Sequence, residues 1–562
     1  MTENKNSDKD TQGSLRLIPG VRLQGGVGMK YAVTGKQMKA IDEDTINRIG
    51  IPSVVLMERA ALAVADAAET LMAGRYKKNE KKPARIAAVC GTGNNGADGI
   101  AAGRILWGRG YEVSVFLAGN PEQGTEEYQL QRKIAQKLGI PVKPAAELKL
   151  EGGEIVLDAL FGIGLGRNVA GEYRCLIERL AKQEDVDVVA VDIPSGIHAD
   201  TGAVMGTALR ARVTVTFGYV KSGLLLYPGR EYAGRVSVED IGFSDCSRER
   251  AGWDAIVLER EDLRFLPKRP MDSNKGTFGK LLVIAGCVGM SGAAYLSALA
   301  AYRTGTGLVK ILTVPENRTV LQTLLPEAIV EVLQPPEDEA GDELSNTRKY
   351  CQTVREQCAW ADAIVIGPGL GQKPYAESLA ETVLAASGAP IVVDADALNM
   401  VARLPRLEAY LAGRAVVTPH MGEMARLTGQ TIEMLKADRR LAAREYAARI
   451  QAVCVLKDAS TVTADSDGHV WINASGCSAM AKGGSGDVLA GVIGSLLAQG
   501  MERTEAAALG VYLHGLMGEH AAERQGDKGV LARDLANAFF ISQEIASYET
   551  KTLREVAECQ WH

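Results

Sequence analysis

The sequence of 562 residues has no Cys-x-x-Cys pair, few aromatic residues and no excess of positive charge. Its nine cysteines are scattered and odd in number, which excludes a disulfide framework or a cysteine zinc site and favours a reducing, cytoplasmic compartment. The net charge of −6 argues against a nucleic-acid partner, because such proteins normally carry a basic face. Aromatic residues are only 5% of the chain, whereas its 61 glycines predict many tight turns.

One uncharged run, Leu281–Tyr302, is long enough to span a bilayer. It reads as a short strand (LLVIAG), a glycine-rich turn (CVGMSG) and a helix of small residues (AAYLSALAAY). The segments that follow alternate as in α/β domains, so the run is predicted to be interior and no membrane partner is expected. The N-terminus, MTENKNSDKDTQGS, is polar where a signal peptide would be apolar.

Two sets of apolar strands alternate with helical stretches along the chain. Continuous β-branched or apolar strands are typical of parallel sheets buried on both faces, so the pattern predicts two α/β domains in tandem. The strands expected in the first set are 85–90, 112–117, 154–158, 186–192 and 212–217. Those of the second set are 280–285, 308–313, 363–367, 390–394, 415–418 and 453–457.

Composition also suggests where the domains begin and end. Charge and turn residues between the two sets predict a linker, and the acidic, proline-containing residues 331–346 predict a surface loop. Met29 begins a more patterned stretch and is a candidate start, the alternative being an ordinary flexible extension. The expected units are a disordered tail (1–28), a first domain (29–245), a linker (246–271), a second domain (272–545) and a C-terminal tail (546–562).

A glycine-rich turn, GTGNNGADG, lies between a strand and a helix of the first domain. Its glycines fit G-x-G-x-x-G, which allows close approach of a phosphate to a helix N-terminus. The next strand ends in Leu-Ala-Gly rather than an acidic residue, which argues against an ordinary dinucleotide fold for hydride transfer. Asn94, Asn95 and Asp98 instead add polar side chains that a plain phosphate loop does not need.

Two further strands of this domain end in aspartates. Asp158 precedes ALFGIGLGRN, and Asp192 precedes IPSGIHADTG. Singly each could be a helix or turn cap. Because the carboxyl ends of parallel strands meet at one edge of a sheet, the three polar ends together predict a shared cleft.

These motifs, GTGNNGADG, DALFGIGLGRN and DIPSGIHADTG, resemble the NAD(P)H-hydrate epimerase domain, the N-terminal half of the YjeF family, over about residues 30–245. The resemblance implies a Rossmann-like parallel-sheet domain, with Asp192 facing the substrate as the candidate acid/base. It also implies a K⁺ ion held by Asn95, Asp158 and Ser195. The substrate-binding residues that it implies are Asn94, Asn95, Gly96, Ala97, Asp98, Gly162, Ile163, Gly164, Leu165, Gly166, Arg167, Asn168 and Asp192.

The second domain contains GGSGD immediately before an apolar helix. Gly484, Ser485 and Gly486 can form an anion-binding turn at the helix N-terminus, with Asp487 in the first helical turn. An aspartate beside a bound anion suits proton transfer from a hydroxyl during phosphoryl transfer, although an acidic first-turn residue can also be only dipole-stabilising. His420, in TPHMGE, is a candidate ligand contact, the alternative being a hydrogen-bonded loop histidine.

Five segments, GAA, GPGLG, DADALN, TPH and GGSGD, resemble the ribokinase-like fold and, within it, NAD(P)H-hydrate dehydratase, the C-terminal half of the YjeF family, over about residues 272–540. The resemblance implies Mg²⁺ with ADP or ATP, and contact with the hydrated cofactor by Ala294, Gly371, His420 and Asp487. Asp458 replaces the usual glycine of K-G-A, and a carboxylate beside phosphates is unfavourable unless it points away or binds Mg²⁺. The adenine-nucleotide residues that it implies are Lys457, Asp458, Ala459, Ser460, Thr461 and Gly486.

The two resemblances predict a metabolite-repair enzyme, both isomerase and lyase, acting on the hydrates NADHX and NADPHX. It would interconvert their R and S epimers and dehydrate the S form at the expense of ADP or ATP, giving AMP and phosphate in the ADP case. Assembly as a homo-oligomer is implied by the family. The alternatives are a ribokinase-like kinase for a small vitamin precursor with an N-terminal nucleotide-binding module, and a first domain that only binds its ligand.

Overall fold

The computed structural model describes residues 30–75, 85–334, 343–386 and 388–539. The predicted tails, 1–28 and 546–562, and the candidate start Met29 lie outside these ranges. Within the described ranges, no helix is long and apolar enough to cross a membrane. The uncharged run Leu281–Tyr302 forms a strand, a turn and most of a helix, as predicted.

The first half of the chain alternates strands with helices. Its strands are β1 (Lys30–Val33), β2 (Arg85–Cys90), β3 (Glu112–Leu117), β4 (Val142–Pro144), β5 (Ile155–Ala159), β6 (Asp187–Val191), β7 (Val213–Phe217), β8 (Val220–Lys221), β9 (Arg235–Glu239) and β10 (Ala255–Val257). Its helices are α1 (Gly35–Asp44), α2 (Ser53–Arg75), α3 (Asn94–Gly108), α4 (Glu126–Lys137), α5 (Gly171–Leu180), α6 (Gly229–Ala233) and α7 (Asp245–Ala251).

The second half continues the alternation and ends in helices. Its strands are β11 (Lys280–Ile284), β12 (Leu308–Thr313), β13 (Ile329–Val332), β14 (Ala363–Ile366), β15 (Ile391–Val393), β16 (Ala415–Val417), β17 (Val453–Leu456), β18 (Val462–Ala464) and β19 (Val470–Ile472). Its helices are α8 (Ser291–Thr304), α9 (Arg318–Leu324), α10 (Glu343–Trp360), α11 (Pro374–Ala386), α12 (Ala395–Arg403), α13 (Met421–Thr428), α14 (Ile432–Ala437), α15 (Arg439–Ile450), α16 (Ser485–Ala498), α17 (Arg503–Gln525) and α18 (Ala532–Asn537).

A seven-stranded parallel sheet organises the first half, in the order β4-β3-β2-β5-β6-β7-β9. Its central strands are mainly apolar, and the two faces of the sheet bury separate clusters. One cluster packs α2 and α3 against the sheet, and the other packs α5. This three-layer α/β arrangement brings the carboxyl ends of β2, β5 and β6 to one edge.

A larger sheet organises the second half. Seven strands run parallel in the order β13-β12-β11-β14-β15-β16-β17, followed by the antiparallel strands β18 and β19. α8 and α16 pack closely on one face: a Cβ on Gly491 would lie 2.1 Å from the carbonyl oxygen of Ser297. The glycine is therefore required for this helix contact.

Three strands of the first half extend the second sheet. β10 pairs with β19 through Ile256 and Trp471, β1 pairs with β10, and β8 pairs with β1. Side chains cross the same boundary: Arg230 donates to the carbonyl oxygen of Ala474 at 2.6 Å, and Arg440 forms an ion pair with the buried Asp254. The two halves therefore share one continuous sheet of 12 strands.

All eleven predicted strands are present, each within one residue of its expected ends. The remaining eight strands, β1, β4, β8, β9, β10, β13, β18 and β19, were not predicted. The segment 246–271 contains most of α7 and all of β10. The prediction of a surface loop over residues 331–346 was wrong at both ends, because β13 extends to Val332 and α10 begins at Glu343. Residues 335–342 lie outside the described ranges.

Candidate active sites

The glycine-rich turn after β2 is packed too tightly for side chains. A Cβ on Gly96 would lie 1.9 Å from the carbonyl oxygen of Gly91, and one on Gly91 would lie 2.2 Å from that of Leu160. The close approach allows α3 to begin at Asn94, directly over the edge of the sheet. Ala97 is buried beneath this turn, while Asn94 is exposed on it.

Asp158 and Ser195 lie in contact at the adjoining strand ends. Asp158 is 1% exposed, and it accepts hydrogen bonds from the Ser195 backbone N–H (2.8 Å) and hydroxyl (2.5 Å). The Ser195 hydroxyl oxygen accepts the Phe161 N–H at 3.0 Å. A Cβ on Gly162 would lie 3.2 Å from the Asn95 amide, so Asn95 faces the same loop.

This cluster has the chemistry of an alkali-cation site. Its donors are a carboxylate, a hydroxyl and an amide, which are hard oxygen ligands. Burial raises the pKa of Asp158 to about 6 despite the hydrogen bonds from Ser195, and no ion pair to Asp158 occurs among the described residues. The Asn95 amide oxygen faces Gly162, whereas its Nδ2, a donor that cannot bind a cation, is buried without a partner in that part of the chain. A bound cation would supply the missing counter-charge.

Asp192 ends β6 in a left-handed conformation, with φ of 68°. Its Oδ1 accepts hydrogen bonds from Lys221 Nζ (2.6 Å), the Thr216 hydroxyl (3.0 Å) and the Phe217 N–H (3.4 Å). Lys221 is 1% exposed. Sequence reasoning missed this lysine, whose only signal was its position just after β7.

Further carboxylates face Asp192. The pKa of Asp98 lies well above its ordinary value, because of burial first and then the charges of Asp192, Asp42 and Glu127. Burial and neighbouring carboxylates also raise the pKa of Asp42, on α1, while Lys221 opposes that shift. The first cleft is therefore acidic around one buried ammonium group.

The loop predicted to bind substrate spans 162–168 and lines the open side of this cleft. A Cβ on Gly35 would lie 3.0 Å from the carbonyl oxygen of Ile163, so α1 packs on the loop. Ile163 and Leu165 are half-buried, whereas the remaining polar and glycine positions of the loop are exposed: Gly164, Gly166, Arg167 and Asn168.

In the second half, the GGSGD motif forms the N-terminus of α16. Gly484 is the N-cap, with φ of 94°, and Asp487 lies in the first turn, as predicted. The backbone carbonyl of Asp487 accepts the Ser297 hydroxyl at 2.9 Å, which fixes this turn against α8. The first N–H groups of a helix are available to an anion at such a site.

A second lysine–aspartate pair lies beside this turn. Lys457 Nζ donates to Asp394 Oδ1 at 2.6 Å, and the Thr418 hydroxyl donates to the same oxygen at 2.7 Å. A Cβ on Gly486 would lie 3.4 Å from Lys457 Nζ and 3.9 Å from Asp394 Oδ2. The ammonium group is thus next to the predicted anion position.

Burial and the neighbouring charged residues shift the pKa of Asp487. Burial, together with the charges of Asp394 and Asp396, raises the pKa of Asp487 to about 7, against the opposing effect of Lys457. A carboxyl group with this pKa exchanges a proton near neutral pH, as a general base requires.

His420 caps α13 and also faces outward. Its Nδ1 accepts the N–H groups of Gly422 (2.9 Å) and Glu423 (3.3 Å), so in the neutral ring the proton is on Nε2. The side chain is 53% exposed, and Nε2 lies 3.4 Å from Glu423 Oε1. His420 joins Lys457 through a β-bridge. The histidine therefore combines the capping role with the predicted place at the site.

The side chain of Asp458 points away from the anion-binding turn. It forms an ion pair with Arg439 at 2.6 Å, and Arg439 also donates to the carbonyl oxygen of Tyr227 at 3.0 Å. Ser460 likewise donates to the carbonyl oxygen of Leu225 at 2.6 Å. Within the predicted nucleotide stretch, Lys457 is thus the side chain that reaches Gly486, while Ala459 is exposed and the Thr461 hydroxyl bonds the chain locally.

Gly371 is linked to the second cleft through Asp396, whereas Ala294 is fully buried. The Gly371 N–H donates to Asp396 Oδ2 at 2.8 Å, and Asp396 acts on the pKa of Asp487. Ala294 is buried against the turn at Gly286. Asp394, Asp396, Thr418 and Glu423 were not among the predicted site residues, although Asp394 ends a strand as Asp158 and Asp192 do.

Two family models match the chain. The model for NAD(P)H-hydrate dehydratase matches residues 281–540, and that for the YjeF-related protein N-terminus matches residues 53–223. Both agree with the resemblances found in the sequence.

Proteins similar over nearly the whole chain include the bifunctional NAD(P)H-hydrate repair enzymes of Moorella thermoacetica and Escherichia coli. The first is 38% identical over 90% of this chain and 95% of its own length, and the second is 35% identical over 80% and 82%. Among solved structures, the ADP/ATP-dependent NAD(P)H-hydrate dehydratase of Bacillus subtilis, co-crystallised with ATP/Mg²⁺, is 31% identical with a TM-score of 0.43, covering 52% of this chain and 97% of its own. The relatives support the repair interpretation and not the kinase alternative.

Proposed function

The chain belongs to the family of bifunctional NAD(P)H-hydrate repair enzymes, and we propose that each of its two polar clefts performs one half of the repair. The first cleft epimerises NADHX and NADPHX, and the second dehydrates the S epimer with ADP or ATP. The observation that carries this assignment is that an acidic cleft and an anion-binding turn lie at strand ends of two different parallel sheets. In such sheets, ligands bind at the carboxyl ends of strands.

In the first cleft, we assign proton movement to Asp192. The reacting carbon carries a hydroxyl next to the ring nitrogen. A proton delivered from the carboxyl group lets the hydroxyl leave as water, giving an iminium-like ring, and water then returns to either face as the carboxylate recovers its proton. Asn94, Asn95, Gly96, Ala97, Asp98 and the loop 162–168 would hold the hydrate.

Asn95, Asp158 and Ser195 would hold the K⁺ ion of this half. Their oxygens match the preference of a hard cation, and the raised pKa of Asp158 reports a buried carboxyl group without a cationic side-chain partner in the described chain. When bound, the ion supplies charge neutralisation that organises the first and second loops.

In the second cleft, we assign Asp487 as the base. Asp487 takes the proton of the substrate hydroxyl while the hydroxyl oxygen bonds to the terminal phosphorus of ADP and AMP leaves. Phosphate is a far better leaving group than hydroxide, so the C–O bond then breaks. The neighbouring ring carbon loses its proton, which restores NAD(P)H.

The anion-binding turn and Lys457 would stabilise the transferring phosphoryl group. Asp394, whose Oδ2 faces the turn at Gly486, would hold Mg²⁺ on the nucleotide, and the ion would neutralise phosphate charge. Ala294, Gly371 and His420 would contact the hydrated cofactor.

A cytoplasmic location is part of the proposal, supported by eight described cysteines that are all free. Homo-oligomeric assembly stays a prediction from the family.

The test is recovery of the reduced-nicotinamide absorbance from a mixture of R and S hydrates of NADH, with Mg²⁺, K⁺ and ADP, ATP or no nucleotide. The wild-type protein should recover all of the absorbance when nucleotide is present, and the faster nucleotide identifies the phosphoryl donor. Asp192→Asn should stop at the S fraction, and Asp487→Asn should recover nothing. Absence of recovery by the wild type would instead favour the kinase.

A further inference from the structure

Lys221 is a buried ammonium group that sequence reasoning did not connect with the first cleft. It is 1% exposed, and its three N–H donors are all used. They bond Asp192 Oδ1 at 2.6 Å, the Thr216 hydroxyl at 3.0 Å and the carbonyl oxygen of Phe217 at 3.0 Å. A buried lysine with every donor satisfied is held in one position and has no proton directed at a substrate.

The two carboxyl oxygens of Asp192 differ in their hydrogen bonds. Oδ1 accepts Lys221, Thr216 and the Phe217 N–H. Oδ2 has no hydrogen-bond donor within the described ranges, and 11% of the side chain is open to solvent. The backbone N–H of Asp192 is also fixed, on the carbonyl oxygen of Val215 at 2.8 Å.

The carboxyl group of Asp192 is therefore held through Oδ1, while Oδ2 is left available to a substrate. Resting on the assignment of Asp192 above, we propose that Lys221 is the positioning residue of the epimerase, which holds Asp192 through Oδ1 so that Oδ2 alone exchanges the proton with the hydrate hydroxyl.

Lys221 is the direct cationic partner of Asp192 among the described residues. Its ammonium group bonds Asp192 Oδ1 in a cleft where Asp98 on α3 and Asp42 on α1 both interact electrostatically with Asp192. Removing the ammonium group would leave Oδ1 with two weaker, neutral donors, the Thr216 hydroxyl and the Phe217 N–H. The carboxyl group would then be held less firmly in one orientation.

The position of Lys221 depends on strands that belong to the larger sheet. β8, which carries Lys221, pairs with β1 through Val33, and β1 pairs with β10. Ser222, the next residue, donates to Asp254 Oδ2 at 2.7 Å, and Asp254 is paired with Arg440 of α15. The lysine that holds Asp192 thus comes from outside the seven-stranded sheet, whereas Thr216 and Phe217 belong to β7 of that sheet.

The test uses full-length Lys221→Met and Lys221→Arg, with Lys137→Met on the exposed end of α4 as the matched control. Epimerisation of pure R hydrate is followed at one fixed pH, and dehydration of pure S hydrate reports that each variant is folded. For Lys221→Met we expect kcat to fall about 10- to 100-fold while KM changes less than about threefold, because the hydrate still binds but Asp192 is no longer held in place. Lys221→Arg should recover part of the rate.

Thr216→Val supplies a milder variant in case Lys221→Met does not fold, because it removes the neutral hydrogen bond to the same oxygen together with one acceptor of Lys221. It should lower kcat by a smaller factor, about two- to tenfold, with KM again nearly unchanged. An unchanged kcat in both variants, or a rise in KM at least as large as the fall in kcat, would overturn the positioning role and leave Lys221 structural. Full epimerase activity in Asp192→Asn would instead overturn the assignment of Asp192 itself, whatever Lys221→Met does.

Discussion

The two clefts are built on the same local arrangement, a strand-end aspartate whose Oδ1 accepts a lysine and a threonine. In the first cleft the pair is Asp192 with Lys221, and in the second it is Asp394 with Lys457, each with a nitrogen–oxygen distance of 2.6 Å. The threonine hydroxyls bond at 3.0 Å and 2.7 Å respectively. The shared arrangement holds an aspartate side chain in one position at the edge of a sheet.

The clefts differ in which carboxyl group is proposed to react. In the first, it is the clamped aspartate itself. In the second, the clamped Asp394 is a neighbour of the reacting Asp487, and it helps to raise the pKa of Asp487 to about 7. One site therefore orients its acid/base by hydrogen bonds, while the other tunes its base by burial and a nearby like charge. Each prediction below tests that contrast.

The largest effect is expected from Asp487→Asn. The asparagine keeps the shape of the side chain but cannot accept the hydroxyl proton, so kcat for dehydration of S hydrate should fall about 10³-fold. Epimerisation of R hydrate should stay within about twofold of wild type, because Asp487 lies in the first turn of α16, in the other cleft. Asp467→Asn, at an exposed turn position, is the control. Parallel loss of both activities would mean that the two clefts are not independent.

The pH dependence of the dehydratase rate should report the raised pKa of Asp487. Below about pH 7 Asp487 is protonated and cannot take a proton, so kcat/KM for S hydrate should fall about tenfold per pH unit on the acidic side. Initial rates between pH 5.5 and 8.5 provide the measurement. A dehydratase rate that stays level down to pH 5.5 would remove Asp487 as the base.

Binding of the cation proposed for the first cleft should change the unfolding temperature of the protein. The pKa of Asp158 is about 6 in the folded chain, above its ordinary 3.8, so the folded state binds more protons than the unfolded state between these values. Without a cation, this group therefore lowers stability as pH rises from about 4 to 6. K⁺ favours the ionised form and should raise the unfolding temperature by a few degrees at pH 7.5 and by less at pH 5.

The comparison for that measurement is tetramethylammonium at equal ionic strength, and Asp158→Asn is the variant control. The variant should respond alike to both cations. An equal response by the wild type would contradict a K⁺ site at Asp158.

The smallest catalytic effect is expected from Asp458→Gly. The Asp458 carboxylate is paired with the buried Arg439, so its removal should change the nucleotide KM less than about threefold while lowering the free energy of unfolding by about 1–2 kcal/mol. Steady-state kinetics and urea unfolding measure the two quantities. A tenfold lower KM would mean that Asp458 repels the nucleotide after all.

The sequence predicted the long strands and the chemistry at their ends, because apolar runs and polar termini are local signals. Asp158, Asp192 and Asp487 could be selected from their motifs alone. Lys221 could not, since its role depends on the fold around β7 and on the pairing of two-residue β8 with β1. The orientation of the Asp458 side chain could not be predicted either, because its partner Arg439 comes into contact with it only through the packing of α15.

The short strands β1, β8 and β10 were not predicted, for the same reason. Each has four residues or fewer, as do some predicted strands such as β15 and β16, but these three lie outside the regular alternation of strands and helices. Their pairing is set by distant segments, and single sequences carry little information about such contacts.

The shared sheet also sets an order on synthesis of the chain. Domains generally fold from the N-terminus as they leave the ribosome, and the seven-stranded sheet is complete once β9 has emerged at Glu239. β10, however, gains its second neighbour, β19, only when Trp471 has been made. The half of the protein that is translated first therefore reaches its final form only after most of the second half has been added.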